Sequence, residues 1–276
     1  MINQRYLIRN ISLKFYGGFG NNLQQIALAI MFSEKYNKNL TVDNHKFIDK
    51  VSYKNSKNPF DRFIPNYSDR FFYYGSKQFK NYLIDYPLDI NDFYFYYENF
   101  HKTFKLKIRN QVNFLYDKKI NNKALVIHIR KMEGHPNYVQ NPINYYKILF
   151  EKYDDILIVT DDPESELIST LKKQKKLQIQ SSTLQEDFNT LVNSTNLATS
   201  GVGTFSVAAA MLSNKLQNIY YSNYFMDSHL NPEMLLPEIK KTKFTVQNYI
   251  GFGSWDKNKD YLMKEILSNV VVNVDQ

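Results

Sequence analysis

Between residues 123 and 222 five short apolar runs alternate with four helical patterns. The runs are KALVIHIR (123–130), DILIVTDD (155–162), LQIQSS (177–182), LATS (197–200) and QNIYYS (217–222). Near-continuous apolar runs of this length mark strands buried on both faces, the condition of a parallel sheet covered by helices. The boundary signals agree. Pro142 stands near the first position of NPINYYKILFEKY, and Asp162 and Pro163 open DPESELISTLKKQKK as N-cap and first helical residue. Thr183 and Glu186 have capping-box spacing ahead of the third helix, and the fourth, in GVGTFSVAAAMLSN, has small residues that allow close packing on a sheet. This order predicts an α/β, doubly wound, Rossmann-like domain whose ligand lies beyond the carboxyl ends of the strands.

The first half is less regular. A strand over 11–16, an amphipathic helix over 21–36 and a strand at LTVD (40–43) make a β-loop-α-β start. Residues 44–120 are rich in Tyr, Phe, Asn and Lys with weak periodicity. Within them 69–84 reads as a strand, a turn at Gly75 and a helix, and 101–116 as a helix with a basic face. The charged, Asn-rich DKKINNK (117–123) marks a boundary, giving domains 1–120 and 121–276, with the C-terminal segment free to pack back on the first.

Composition narrows the chemistry. The absence of cysteine removes disulfides, thiolate zinc sites and cysteine nucleophiles together. No run of 18 apolar residues occurs and the N-terminal residues do not read as a signal peptide, so a cytoplasmic protein is expected. Lys and Arg number 35 against 27 Asp and Glu, a net charge of +8, which suits phosphate-bearing ligands, nucleic acid or an anionic membrane face as well as a merely solvated surface. The basic stretch 101–119 fits peripheral contact with a membrane carrying lipid-linked acceptors, or a solvated face. With 22 Tyr and 20 Phe, nucleic-acid binding stays open as an alternative, but no ordered RNA- or DNA-binding motif is present and no nucleic-acid partner is expected.

Four constellations carry candidate chemistry. Gly17, Gly18 and Gly20 precede Asn21 at the mouth of the first helix, where free N–H groups and the helix dipole favour an anion; on spacing alone a tight turn with Asn21 as N-cap explains them better. His128 and Arg130, two apart at the end of a buried strand, point the same way, and Arg binds phosphate through two parallel hydrogen bonds. Lys131 adds a cation, and Glu133 and His135 follow as proton acceptors. Asp161 and Asp162 stand on a strand-to-helix turn, able to cap, to accept hydrogen bonds from a base or sugar, or to bind a metal. Thr204, Phe205 and Ser206, after Gly201 and Gly203, form a second anion cradle.

Taken together these segments resemble the α-1,2-fucosyltransferase family and its wider superfamily. Gly17-Gly18-Phe19-Gly20-Asn21-Asn22 is similar to the family's G-G-L-G-N-Q, and His128-Ile129-Arg130-Lys131-Met132-Glu133 to its H-x-R-R-G-D. Thr160-Asp161-Asp162 is similar to its S/T-D-D, Gly203-Thr204-Phe205-Ser206 to its S-T-F-S/G, and YYGSKQF (73–79) to its aromatic-x-x-S-x-x-F segment. The resemblance spans residues 12–213 in order. It implies a GT-B-like architecture, two Rossmann-like domains facing a central cleft, the first on the acceptor side and the second binding the nucleotide sugar. It implies an inverting, metal-independent transfer from GDP-fucose to a hydroxyl of a glycan or lipid-linked glycan, in polysaccharide biosynthesis. By the resemblance Arg130 holds the β-phosphate, His128 and Thr204–Ser206 line the nucleotide, and Asp161 or Asp162 contacts guanine or ribose. Gly18–Asn21 closes on the diphosphate, and Glu133, or else His135, is the base. Lys131, Met132, Glu133, Asn22 and Gly203 depart from the family pattern. They leave open a different nucleotide-sugar donor, or a sugar-nucleotide binder without turnover.

Overall fold

The computed structural model describes residues 10–13, 15, 17–35, 39–49, 52–53, 67–68, 99–131, 140–224, 230–249, 259–268 and 270–275. The segment 69–84, Glu133 and His135 lie outside the described residues. The chain divides into two units, Met1–Leu115 with Asp227–Leu236, and Tyr116–Met226 with Pro237–Gln276.

In the first unit β1 (Asn10–Leu13) runs through Gly17 and Gly18 into helix α1 (Phe19–Lys35) and on to β2 (Asn39–Val42), which pairs parallel with β1. Strands β3 (Ser52–Tyr53) and β4 (Tyr67–Ser68) complete a sheet in the order β3-β2-β1-β4. Residues 99–111 are helical, with a π-turn at Phe104–Ile108 that buries Phe104 and Ile108. The helix start differs from the sequence reading. Helix α1 begins at Phe19, two residues ahead of Asn21, so Asn21 is not its N-cap. The cause is tertiary: Phe19 is buried with its ring 6.0 Å from His45, 5.8 Å from Phe47 and 5.5 Å from Phe114. That aromatic packing draws the first turn inward, a contribution of about 1.5–3 kcal/mol for one large apolar side chain.

The second unit is built on a seven-stranded sheet in the order β11-β10-β9-β8-β5-β6-β7. Its strands are β5 (Leu125–Ile129), β6 (Ile156–Thr160), β7 (Gln178–Gln180), β8 (Asn196–Ala198), β9 (Asn218–Ser222), β10 (Lys240–Val246) and β11 (Val272–Val274). All pairs are parallel except β10–β11. The helices are α2 (Ile143–Lys152), α3 (Glu166–Gln174), α4 (Leu184–Val192), α5 (Phe205–Leu212) and α6 (Lys259–Ile266). The expected α/β class and the five central strands are present, and β10 and β11 extend the sheet beyond them.

Every residue of β5 is buried, as its unbroken apolar run requires. Leu125, Ile127 and Ile129 join one core with Ile143, Tyr145 and Leu149 of α2, Leu167 and Leu171 of α3, and Leu262 and Ile266 of α6. His128, of opposite parity, meets Phe205 of α5 instead. The sheet is therefore covered on both faces. The strand order reverses at β5: the chain first builds outward through β6 and β7, then returns to place β8 on the other side. Such a switch point opens a crevice between the carboxyl ends of the two strands involved.

The caps follow local chemistry with one correction. Thr183 Oγ1 accepts from Glu186 N–H at 3.3 Å as the capping box predicts, but the Glu186 carboxylate takes the Tyr116 hydroxyl at 2.7 Å rather than reaching back. Helix α3 is capped by Ser165, whose Oγ accepts from Ile168 N–H at 3.4 Å, and not by Asp162. Asp162 and Pro163 form a preceding turn, in which Ser165 N–H donates to the Asp162 carbonyl at 3.3 Å and Asp162 N–H to Thr160 Oγ1 at 3.1 Å.

Candidate functional site

Within the second unit the switch point gathers His128, Arg130, Lys131, Thr160, Asp161, Asp162 and the 199–206 segment at one end of the sheet. His128 and Arg130 share a parity on β5 and its exit, and both meet the segment after β8. The His128 ring lies 5.4 Å from that of Phe205, tilted by 40°, and Phe205 in turn packs on Phe188 at 5.0 Å. Arg130 runs against Gly203: a Cβ placed on that glycine would stand 3.9 Å from both Cδ and Nη1 of Arg130. Gly203 has φ +143°, a backbone conformation that side-chain-bearing residues rarely adopt. The glycine is thus required by the turn, and its bare backbone is what the arginine lies along.

Helix α5 starts directly after this turn. Thr204 occupies its N-cap without a side-chain hydrogen bond to the first turn. A helix start presents N–H groups and the positive end of the dipole, the ordinary setting for an anion. Two polar side-chain atoms here are buried without a partner, His128 Nδ1 and Ser206 Oγ. Burial first, and the Arg130 charge second, push the His128 imidazole down to a pKa of about 3, so it is neutral at physiological pH. The positive charge of this site therefore comes from Arg130 and the exposed Lys131, with His128 a neutral hydrogen-bonding group.

The two aspartates part company. Asp161 Oδ1 accepts a hydrogen bond from Lys131 N–H at 2.5 Å, fastening the end of β6 to the exit of β5. Asp162 lines a cavity of about 20 Å³ with Arg130, Lys131, Gln140, Thr160 and Ser165, room for one water and not for a nucleotide. An open depression of about 650 Å³ lies at the other end of the sheet, lined by Lys118, Asn121, Asn193 and Lys215. Size does not make it the better site. Lys118 is engaged by Thr190 at 2.8 Å and Glu186 at 3.5 Å, and Lys215 by Asn193 at 2.9 Å and Asp117 at 3.3 Å.

Buried groups that the sequence did not single out support the crevice. Asn141 is fully buried, donating from Nδ2 to the Thr199 carbonyl at 3.1 Å and accepting at Oδ1 from Ser222 Oγ at 2.6 Å, so it ties the ends of β8 and β9 together. Gln140 donates from Nε2 to the Arg130 carbonyl. A polar Gln-Asn pair before a proline reads as an ordinary exposed loop, and only its burial reveals the role.

In the first unit Gly17 has φ +81°, a conformation that favours glycine, and a Cβ there would stand 2.8 Å from the end of the Asn21 side chain, which would have to shift. Gly18 is exposed, with open space around it, and Gly20 is buried inside α1. Asn22 shares a hydrogen bond with His45 Nε2 at 3.1 Å, which anchors the helix to the loop after β2.

Among the described residues no three His, Cys, Asp or Glu side chains cluster so as to hold a metal ion, and no helix is long and apolar enough to cross a membrane. No family model matches the chain, that of the α-1,2-fucosyltransferases included, and no curated protein matches it. Solved structures that align with it include two sugar transferases. One is a glycosyl transferase family 9 protein from Veillonella parvula DSM 2008, at 10% identity and a TM-score of 0.44, covering 94% of this chain and 97% of that one. The other is the dodecameric iron-containing heptosyltransferase TibC in complex with ADP-D-beta-D-heptose, at 14% identity and a TM-score of 0.42, covering 90% of this chain and 66% of that one. Likenesses this slight do not bear on what this chain does.

Proposed function

We propose that the protein is a glycosyltransferase that takes a sugar from a nucleoside-diphosphate donor and passes it to a hydroxyl of a glycan or lipid-linked glycan. The observation that carries this reading is the arginine laid along Gly203 at the switch point, beside the start of α5. Cleaving a sugar–phosphate bond requires charge stabilisation on the departing diphosphate. A guanidinium, Lys131 and helix-start N–H groups supply it, and Arg keeps its charge at any relevant pH. His128, neutral and with Nδ1 unpartnered, offers a hydrogen bond to the nucleotide without adding charge. The ordered motif set favours GDP-fucose as the donor and inversion at the anomeric carbon. Glu133, or else His135, then takes the acceptor proton, as the resemblance implies.

The test is turnover of a nucleotide-sugar panel with GDP-fucose among its members. Release of GDP from GDP-fucose, lost in Arg130→Ala with the fold intact, is the expected result. Release from another donor alone would move the specificity. Absence of release from all of them, with no binding of GDP, would remove the assignment.

A further inference from the structure

The ladder of β5 with β8 ends at Ile127 and that with β6 at Ile129. Beyond that point the peptide joining Arg130 to Lys131 is held by side chains instead. Its carbonyl accepts from Gln140 Nε2, and its N–H donates to Asp161 Oδ1 at 2.5 Å. The two holders come from different elements, the segment ahead of α2 and the residue after β6, and they take both polar groups of one peptide plane. Gln140 is buried and its bond partly so, whereas Asp161 and its bond to Lys131 are exposed. Strand pairing up to Ile129 fixes the chain entering Arg130, and the clamped peptide fixes the chain leaving it. Together they set the Cα–Cβ direction from which the Arg130 side chain departs toward Gly203.

We infer that Gln140 and Asp161 are positioning residues of the diphosphate site, acting through the Arg130 backbone. This rests on the reading of Arg130 as the diphosphate-binding cation. It gives Asp161 a role different from the contact with guanine or ribose that the sequence resemblance implies. A side chain that acts through Arg130 affects every diphosphate equally, with or without a base and sugar. One that touches the nucleoside affects only ligands that carry it.

The experiment titrates inorganic pyrophosphate and GDP into the full chain and into Gln140→Leu, Asp161→Ala and Asp161→Asn, with amide hydrogen exchange followed at Lys131. Gln140→Leu and Asp161→Ala each weaken both ligands by the same factor, about five- to tenfold for one lost hydrogen bond. Asp161→Asn, which retains an acceptor oxygen, recovers most of that loss. The Lys131 amide exchanges slowly in the parent and faster in Asp161→Ala. A loss in Asp161→Ala confined to GDP, or an Asp161→Asn as weak as Asp161→Ala, overturns the inference. If the parent binds neither ligand, the functional reading falls by itself. The Lys131 amide then still decides: accelerated exchange in Asp161→Ala upholds the clamp, and unchanged exchange overturns it.

Discussion

Arg130 lies along the backbone of Gly203, its Cδ and Nη1 both 3.9 Å from where a β-carbon of that residue would stand. The space alone would admit a methyl group at ordinary contact distance. The backbone would not, because φ at Gly203 is +143°. Gly203→Ala is therefore expected to cost about 1–3 kcal/mol of stability, and to displace the turn on which the arginine rests. Denaturant unfolding with an unchanged slope and a lower midpoint checks the first part, and weaker GDP binding in calorimetry checks the second. A variant as stable as the parent would mean that the turn is not held at this angle.

The buried His128 makes stability depend on acid. An unfolded histidine titrates near 6.5 and the folded one near 3, so between these values the unfolded chain binds more protons. The contribution of a neutral His128 is whole above pH 6.5, falls as pH drops through that window, and is gone near 3. Full loss is on the order of 4–5 kcal/mol. Urea unfolding measured from pH 7 to pH 4 shows a steeper decline for the parent than for His128→Phe, which carries no titrating group there. Parallel declines would contradict the buried, neutral state.

Asn141 joins two strand ends in a fully buried setting. Asn141→Ala leaves the Thr199 carbonyl and the Ser222 hydroxyl each without that partner, a loss of about 2–4 kcal/mol. Ser222→Ala costs less, and the double variant costs less than the sum, because the two share one bond. Strict additivity in chemical unfolding would show that the bond contributes nothing.

Gly17→Ala combines two penalties, a left-handed φ of +81° and a Cβ 2.8 Å from Asn21 Nδ2. The conformational part is about 1–2 kcal/mol. Adding Asn21→Gly relieves the clash but not the φ, so Gly17→Ala costs less in the Asn21→Gly background than in the parent, yet still costs something. Thermal unfolding of the four proteins gives the partition, and full recovery would refute the left-handed turn.

The sheet was largely legible because β5, β6 and β9 are written as apolar runs that only a doubly covered parallel strand explains. Strand β10 escaped because KKTKFTV opens with lysines, and just Phe244 and Val246 face a core. The start of α1 was misplaced since Phe19 enters the helix through contacts with His45, Phe47 and Phe114, residues distant in sequence. Asp162 read as a cap on local chemistry, yet Ser165, three residues on, holds the helix and leaves Asp162 in the turn. At the site, the shared direction of His128 and Arg130 followed from strand parity alone. The Asn141 bridge, the Gln140 bond to the Arg130 carbonyl and the Arg130–Gly203 contact did not, because each joins positions related only by the topology of the sheet.

Calorimetric titration of GDP into the parent protein and into Arg130→Ala addresses the diphosphate reading most directly. Saturable binding by the parent, weakened at least about tenfold in a variant with an unchanged melting temperature, is the predicted result, as for loss of a charge-assisted contact. Equal binding by both proteins, or no heat from either at millimolar GDP, would contradict it.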